Sequence, residues 1–254
     1  MSKQELLQKL NEIASADLII IIPARNEEQA LSELLPKIIP DITRHVVVVD
    51  NGSTDGTAEV SRINNAVVVY EKRTGYGSAC LAGINYVLSL PKPPKYICFF
   101  DADGQSLVGD IYRVIEPVMS GKTNYCQGSR MSLPNSKSAL LPMAQTANQF
   151  FSQVLSLIWK QNITDLGPLR AMTWETLSKL NMKTTGYGWT IEMSAKVLKA
   201  GIIHYEVPVQ YKKRVTGKSK ISGNLRTSVR AAFEMSLTLL RIMLLWKSPS
   251  ANQK

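Results

Sequence analysis

Two aspartates that directly follow an apolar run have the spacing best suited to chemistry. Residues 96–100 are apolar or aromatic, Asp101 and Asp103 follow them, and Gln105 lies two residues further on. The run has the length of a buried β-strand, and in an extended backbone residues i and i+2 point to the same side. Two carboxylates this close repel each other, so one takes up a proton unless a cation lies between them. Because Mg²⁺ and Mn²⁺ prefer oxygen ligands and also accept phosphate oxygens, the pattern predicts a divalent metal site.

An ordinary solvated strand end is the alternative interpretation of this pair, because Asp is common in turns. Three earlier apolar runs, at residues 18–22, 46–49 and 67–70, each precede a loop and a predicted helix. Four strand–loop–helix units predict a parallel sheet with helices on both faces, and such sheets bind ligands at the carboxyl ends of their strands. The polar residues that would meet at this edge, and that favour a binding site, are Asn26, Glu27, Asp50, Asp101 and Asp103.

The helices between these strands are predicted from caps and breakers. Asn26 with Gln29 three residues later resembles a capping box, which predicts a helix from there to about residue 37. Further along the chain, the pattern predicts helices at 57–63, 78–90, 139–159, 174–180 and 189–200, and strands at 125–130 and 202–211.

The C-terminal part has a different character. No acidic residue lies between Val207 and Glu234, although this stretch contains seven lysines and arginines. Residues 231–246 then form an apolar pattern with a narrow polar stripe, which predicts an amphipathic helix with a wide apolar face.

Composition limits the class of protein. The chain has 254 residues, 44% of them hydrophobic, and a formal net charge of +10, which predicts an anionic partner. Three widely spaced cysteines, Cys80, Cys98 and Cys126, are expected to be reduced core residues. No uninterrupted apolar stretch reaches the roughly 18 residues of a membrane span, and the charged N-terminus is unlike a secretory signal.

Five segments together resemble a known enzyme family. They are residues 23–27, 49–57, 101–105, 128–130 and 214–220. In this order they are similar to the family 2 glycosyltransferases, and within these to the dolichol-phosphate mannose synthase and polyprenyl-phosphate glucosyltransferase branch. The resemblance implies an α/β GT-A fold, a mostly parallel sheet flanked by helices, over residues 1–230. Residues 231–254 would add an amphipathic helix able to associate with a membrane.

The resemblance also implies roles for individual residues. Asp101, Asp103 and Gln105 would hold Mg²⁺ or Mn²⁺, and the residues of the catalytic step would be Asp103, Arg214 and Glu192. Glu192 would be either the base of a hydroxyl-glycosylating enzyme or an ordinary helix-surface residue. Asn51 departs from the pattern, because many relatives carry a second acid there. The residues expected to bind the sugar-nucleotide donor are Pro23, Ala24, Arg25, Asn26, Glu27, Asp50, Gly77, Asp101, Ala102, Asp103, Arg130 and Lys220.

The resemblance implies an inverting transfer of sugar from a nucleotide sugar, of the UDP-glucose or GDP-mannose type, to a polyprenyl or dolichyl phosphate. We expect a protein without a membrane span, cytoplasmic and peripheral at an anionic membrane surface. A homo-oligomer or a small membrane partner would be compatible with this arrangement. The main alternative is a soluble family 2 enzyme that acts on a hydroxyl acceptor and therefore needs a general base.

Two other classes fit the sequence less well. Gly75 and Gly77 suggest a dinucleotide-binding oxidoreductase, but the third glycine of that fingerprint is replaced by Cys80. A nucleic-acid partner is suggested by charge alone and is not expected, because acids at the strand ends would repel phosphate backbones.

Overall fold

A seven-stranded sheet forms the centre of the molecule in the computed structural model, which describes residues 17–38, 45–213 and 225–248. The strand order is β3-β2-β1-β4-β6-β5-β7, and β6 runs antiparallel to both neighbours whereas the other pairs are parallel. The strands are β1 (Leu18–Ala24), β2 (Val46–Asp50), β3 (Val67–Tyr70), β4 (Tyr96–Phe99), β5 (Tyr125–Ser129), β6 (Arg170–Thr173) and β7 (Tyr205–Pro208).

Helices cover both faces of this sheet. They are α1 (Glu28–Ile38), α2 (Thr57–Ile63), α3 (Tyr76–Leu88), α4 (Gly109–Met119), α5 (Pro134–Ala139), α6 (Pro142–Trp159), α7 (Trp174–Leu180), α8 (Trp189–Lys199) and α9 (Leu225–Leu245). The predicted mostly parallel α/β sheet flanked by helices is therefore confirmed.

Strand β1 explains why the predicted strands are continuous apolar runs. Ile20 and Ile22 pack in a cluster with α1 and α4, whereas Ile19 and Ile21 pack in a cluster with α3, α7 and α8. Both faces of the strand are buried, so alternation with polar residues would leave polar groups in the core. The three cysteines are also buried and free, as predicted for core residues.

A third apolar cluster lies away from the sheet, between α6, α8 and α9. Leu155, Ile191 and Ile242 are among its buried members, and each comes from a different one of these helices. Helix α9 begins at Leu225 rather than at the predicted Ala231, so it crosses the predicted boundary at residue 230.

Several local predictions were wrong. Asn26 has a φ of 51°, and α1 begins only at Glu28, so Asn26 is not the cap of a capping box. The helix predicted at 139–159 is α6 and begins only at Pro142, because Leu140 and Leu141 are extended, and the short helix α5 before it was not predicted. Strand β6 was not predicted, since its four residues carry neither an apolar run nor an alternation.

The carboxyl ends of β1, β2 and β4 lie side by side. Ala24 pairs with Asp50, and Phe99 at the end of β4 pairs with Ile21. The sheet therefore brings the polar residues after these three strands to one edge, as the sequence predicts. Within the part of the chain that the structure describes, no helix is long and apolar enough to cross a membrane.

Candidate active site

Asp101 and Asp103 lie in the loop after β4, and each carboxylate accepts a hydrogen bond from a neighbouring group. The hydroxyl of Tyr76 donates a hydrogen bond of 3.1 Å to Asp101 Oδ1, and the backbone N–H of Gln105 donates one of 3.1 Å to Asp103 Oδ1. Burial and the charge of Asp103 raise the pKa of Asp101 to about 7, although the Tyr76 hydrogen bond and Arg130 oppose the shift. The charge of Asp103 therefore adds to burial in favouring the protonated form of Asp101, as the spacing of the two residues predicts.

The loops after β1 and β2 are hydrogen-bonded to each other. Asn26 Oδ1 accepts from the N–H of Thr54 at 2.8 Å, and the N–H of Asn26 donates to Ser53 Oγ at 2.9 Å. Asp50 is 5% exposed, and its Oδ1 accepts from the N–H of Ser53 at 2.9 Å. These bonds fix the two loops as one unit, in which Asn26 and Asp50 are close to the same Ser53–Thr54 turn.

Asn51 connects this unit to the loop that precedes α3. Its side-chain amide donates to the carbonyl oxygens of Glu71 and Arg73, at 3.1 and 2.8 Å, and its Oδ1 accepts from the N–H of Gly75 at 2.8 Å. The amide is essential to this arrangement, because a carboxylate has no hydrogen to donate. The departure from the acidic pattern at this position thus has a structural explanation.

Gln105 connects the loop after β4, which carries the two aspartates, to the segment after β7. Its Oε1 accepts from the hydroxyl of Tyr211 at 3.0 Å, and its Nε2 donates to the carbonyl oxygen of Lys212 at 2.8 Å. The side chain thus has a structural function that the sequence analysis did not predict. An amide oxygen has two lone pairs, so the bond from Tyr211 is compatible with the predicted contact to a metal.

Arg130 is held by a residue that the sequence analysis did not select. Asp165 is fully buried, and its carboxylate accepts from Arg130 Nε at 2.9 Å, from Nη2 at 2.8 Å and from the backbone N–H at 2.7 Å. Burial opposes the charge of Arg130, but Asp165 outweighs it and raises the pKa of the guanidinium. The side chain is 13% exposed and its Cζ lies 5.2 Å from the ring centroid of Tyr211. The sequence signal for this pair is weak, because Asp165 lies in a loop 35 residues away.

Glu192 lies on neither a helix surface nor an open cleft wall. Only 3% of it is exposed, and its two carboxylate oxygens accept from the backbone N–H groups of Lys183 and Thr184, at 3.0 and 2.8 Å. Lys196 donates to the same carboxylate at 2.6 Å. Of the two roles considered for Glu192, that of a helix-surface residue is therefore wrong, because the side chain is buried and both of its oxygens accept hydrogen bonds.

The remaining predicted residues divide into three groups. Pro23 and Ala24 are buried at the end of β1, and Ala102 is buried between the two aspartates. Arg25 is exposed and Glu27 is partly exposed in the loop after β1. Gly77 is buried in the first turn of α3. The predictions for Arg214 and Lys220 lie outside the described residues.

The predicted metal fits the residues that are present. Asp101 and Asp103 offer hard oxygen ligands two residues apart, of the type that Mg²⁺ and Mn²⁺ prefer. The described residues contain no group of three or more His, Cys, Asp and Glu side chains that could hold a metal. A metal at the two aspartates would therefore take its other ligands from the amide of Gln105, from water and from phosphate.

The site thus combines a carboxylate pair after β4 with loops after β1 and β2 that are hydrogen-bonded to each other. The model of glycosyl transferase family 2 matches residues 19–174. A glycosyltransferase of Mycobacterium tuberculosis, described as uncharacterized, is 31% identical over 222 residues, which is 87% of this chain and 97% of that protein. The polyprenol monophosphomannose synthase of Mycolicibacterium smegmatis is 28% identical, over 83% of each chain.

The fold is also similar to a solved structure. Glucosyl-3-phosphoglycerate synthase from Mycobacterium tuberculosis, in complex with Mn²⁺, UDP and glucosyl-3-phosphoglycerate, has a TM-score of 0.68 and 18% identity, and the match covers 98% of this chain and 86% of that one. The chain belongs to glycosyl transferase family 2 and is a glycosyltransferase with the GT-A fold. The resemblance stated from the five sequence segments is thereby confirmed.

Proposed function

We propose that this glycosyltransferase moves a sugar from a nucleotide sugar, of the UDP-glucose or GDP-mannose type, to a polyprenyl or dolichyl phosphate at a membrane surface. The transfer would be metal-dependent and would invert the anomeric carbon. The observation that carries the proposal is the pair Asp101 and Asp103 at the carboxyl end of β4, with the guanidinium of Arg130 close enough to act on the charge of Asp101.

The donor would lie across the edge formed by the first three loops. The nucleoside would bind at residues 23–27 and Asp50, whose carboxylate is fixed by the turn after β2. Mg²⁺ or Mn²⁺ held by Asp101 and Asp103 would neutralise charge on the diphosphate. Arg130 would add a positive charge that is always present at physiological pH, because its pKa is raised.

The chemical step would be an in-line displacement at the anomeric carbon. An oxygen of the acceptor phosphate forms the new bond to this carbon, and the bond to the donor diphosphate breaks from the opposite face. The nucleoside diphosphate leaves with the electron pair, so its growing negative charge needs stabilisation. Arg214 and Lys220, together with Arg130, would supply that stabilisation and bind the acceptor phosphate.

A phosphate acceptor agrees with the state of Glu192. A hydroxyl acceptor needs a base to remove its proton, whereas a phosphate is already an anion. Both oxygens of Glu192 accept hydrogen bonds, from two backbone N–H groups and from Lys196, so the carboxylate is engaged within the protein and is a poor candidate for the base. The relatives named polyprenol monophosphomannose synthase and undecaprenyl-phosphate mannosyltransferase support the same class of acceptor.

A lipid acceptor would require the enzyme to approach a membrane surface. Helix α9, for which the sequence predicts a wide apolar face, carries exposed apolar side chains at Phe233, Leu240, Leu244 and Leu245. Helix α6 adds a second exposed apolar set: Met143, Phe150, Leu157 and Ile158. Because the net charge is +10, anionic headgroups would attract the protein, and these two helices would contact the headgroup region.

Transfer assays with defined acceptors test the proposal. The protein would be incubated with Mn²⁺ or Mg²⁺, with UDP-glucose or GDP-mannose, and with either a short polyprenyl phosphate or the matching polyprenol. We expect product only with the phosphate, and loss of most activity in Asp103→Asn because the diphosphate loses its counter-charge. Sugar transfer to the alcohol alone, or normal turnover of Asp103→Asn, would contradict the proposal.

A further inference from the structure

Tyr76 contacts Asp101, one of the two proposed metal ligands, from the side of the sheet on which α3 packs. It is the first residue of α3, and its hydroxyl donates to Asp101 Oδ1 at 3.1 Å. This bond restricts rotation of the carboxylate and leaves Oδ2 outside it. Hydrogen bonds of this kind orient metal ligands, and their loss weakens metal binding by about 10- to 100-fold.

The turn that carries Tyr76 is fixed on one side by Asn51. The N–H of Gly75 donates to Asn51 Oδ1 at 2.8 Å, and the φ of Gly75 is 146°, a value that favours glycine. The residue just before Tyr76 is therefore anchored to the end of β2, the strand that also carries Asp50.

The other side of the turn packs against loop 183–185. The N–H of Ser78 donates to the carbonyl oxygen of Thr185 at 2.9 Å. A side chain on Gly75 would collide with the carbonyl oxygen of Thr185, and one on Gly77 with that of Thr184. The two glycines thus allow the backbone of this loop to touch the turn directly.

Glu192 in turn holds this loop. Its carboxylate accepts from the N–H groups of Lys183 and Thr184, and Lys196 both donates to that carboxylate and contacts the carbonyl oxygen of Asn181 at 2.7 Å. A continuous series of contacts therefore runs from α8 through loop 183–185 and the turn before α3 to the metal-binding edge.

We propose that Tyr76 is a positioning residue for Asp101, and that Glu192 positions Tyr76 by holding loop 183–185 against the turn. The inference rests on the proposed metal dependence of the enzyme. It gives Glu192 a role in donor binding that does not involve removal of a proton. It also gives Gly75 and Gly77 a structural role, because each leaves room for the backbone of loop 183–185. This role requires no contact between either glycine and the donor.

The first test measures metal affinity without catalysis. Mn²⁺ would be titrated into the metal-free full-length protein, with free Mn²⁺ followed by electron paramagnetic resonance. Tyr76→Phe should bind Mn²⁺ about tenfold more weakly, because Asp101 loses its orienting donor. Tyr86→Phe, the same change on the same helix, should match the wild type. If the wild type binds neither Mn²⁺ nor Mg²⁺, the metal proposal and this inference both fail. If the wild type binds metal and Tyr76→Phe binds it equally well, only this inference fails.

The second test separates positioning by Glu192 from base catalysis. Glu192→Gln places an amide NH₂ where a carboxylate oxygen accepted a hydrogen bond, so it should loosen loop 183–185. We expect weaker Mn²⁺ binding and a KM for the nucleotide sugar raised several-fold, with kcat at saturating metal and donor within about twofold of wild type and the pH profile unchanged. If instead kcat falls while the metal affinity is unchanged, and the acidic limb of the pH profile of kcat disappears, Glu192 acts as a base. A lower Tm with unchanged metal affinity and unchanged KM would also overturn the proposal.

Discussion

Individual side chains of this site are more constrained than their types suggest. Asn51 is the clearest case, since each of its polar atoms is used: Nδ2 donates to two carbonyl oxygens and Oδ1 accepts from Gly75. An aspartate has a nearly identical shape but cannot donate. The loop before α3 therefore requires the amide.

Asn51→Asp tests this requirement. The variant loses both donated hydrogen bonds and turns a charged oxygen toward the carbonyl oxygens of Glu71 and Arg73. We expect the free energy of unfolding to fall by about 2–3 kcal/mol, as measured by urea denaturation. Asn65→Asp, the same change at an exposed residue, is the control and should change the free energy of unfolding by less than about 0.5 kcal/mol. Equal stabilities of the two variants would show that the amide of Asn51 is dispensable.

The raised pKa of Asp101 predicts that metal binding depends on pH. The pKa of Asp101 is raised from 3.8 to about 7. Below that pH the carboxyl is protonated and a proton competes with the metal, so the affinity for Mn²⁺ should fall by about tenfold between pH 8 and pH 6. Calorimetric titration at both pH values measures this, and equal affinities would contradict the shift. The same raised pKa means that, without metal, this group's contribution to stability is present below about pH 4 and is lost as the pH rises through 7.

At the scale of elements, α6 and α9 differ from the other helices in what they leave exposed. Leu157 is 83% exposed and Leu244 is 72% exposed, although each helix also contributes buried residues to the cluster with α8. Each of these helices therefore has one apolar face in the core and another facing outward. Such outward faces commonly mark an interaction surface, and the proposed lipid acceptor makes a membrane the expected partner.

Substitutions on these outward faces test membrane contact without disturbing the core. The double variant Leu157→Ser with Leu244→Ser should bind anionic liposomes at least about tenfold more weakly in a sedimentation assay, because two apolar side chains no longer enter the headgroup region. Ile63→Ser, at a 69% exposed residue of α2, is the control and should bind as the wild type does. Unchanged liposome binding of the double variant would show that these faces serve another purpose.

For the whole molecule, the parallel half of the fold could be predicted from sequence because its signals are local. Each of β1, β2 and β4 is an apolar run that ends in polar residues, and the parallel rule then places those residues at one edge. The edge residues Asp50, Asp101 and Asp103 were selected for this reason. Their exact contacts were not predictable, because Tyr76 reaches Asp101 from a turn whose position depends on loop 183–185.

The second half of the chain was harder to predict for physical reasons. Strand β6 is four residues long and pairs with β4, about 75 residues earlier in the chain, so no local pattern marks it. Asp165 is a buried acid that pairs with Arg130 of a different part of the chain, and Glu192 is a buried acid that accepts hydrogen bonds from loop 183–185 and from Lys196 of its own helix. Burial of a charged residue cannot be inferred from the residue type, since most acids are exposed.

Helix α9 provides a last test, because its packing bears on the division of the chain at residue 230. Leu239 and Ile242 are buried against α6 and α8, and the helix thereby covers the side of α8 that carries Ile191. If α9 belongs to the same folding unit as the sheet, Ile242→Ala should lower the free energy of unfolding of the whole protein by about 2–4 kcal/mol, in one cooperative transition. Leu244→Ala, two residues further along and exposed, should cost less than about 0.5 kcal/mol. If instead α9 unfolds in a separate, earlier transition, and Ile242→Ala leaves the main unfolding transition unchanged, the helix is a separate unit. The boundary predicted at residue 230 implies this second outcome.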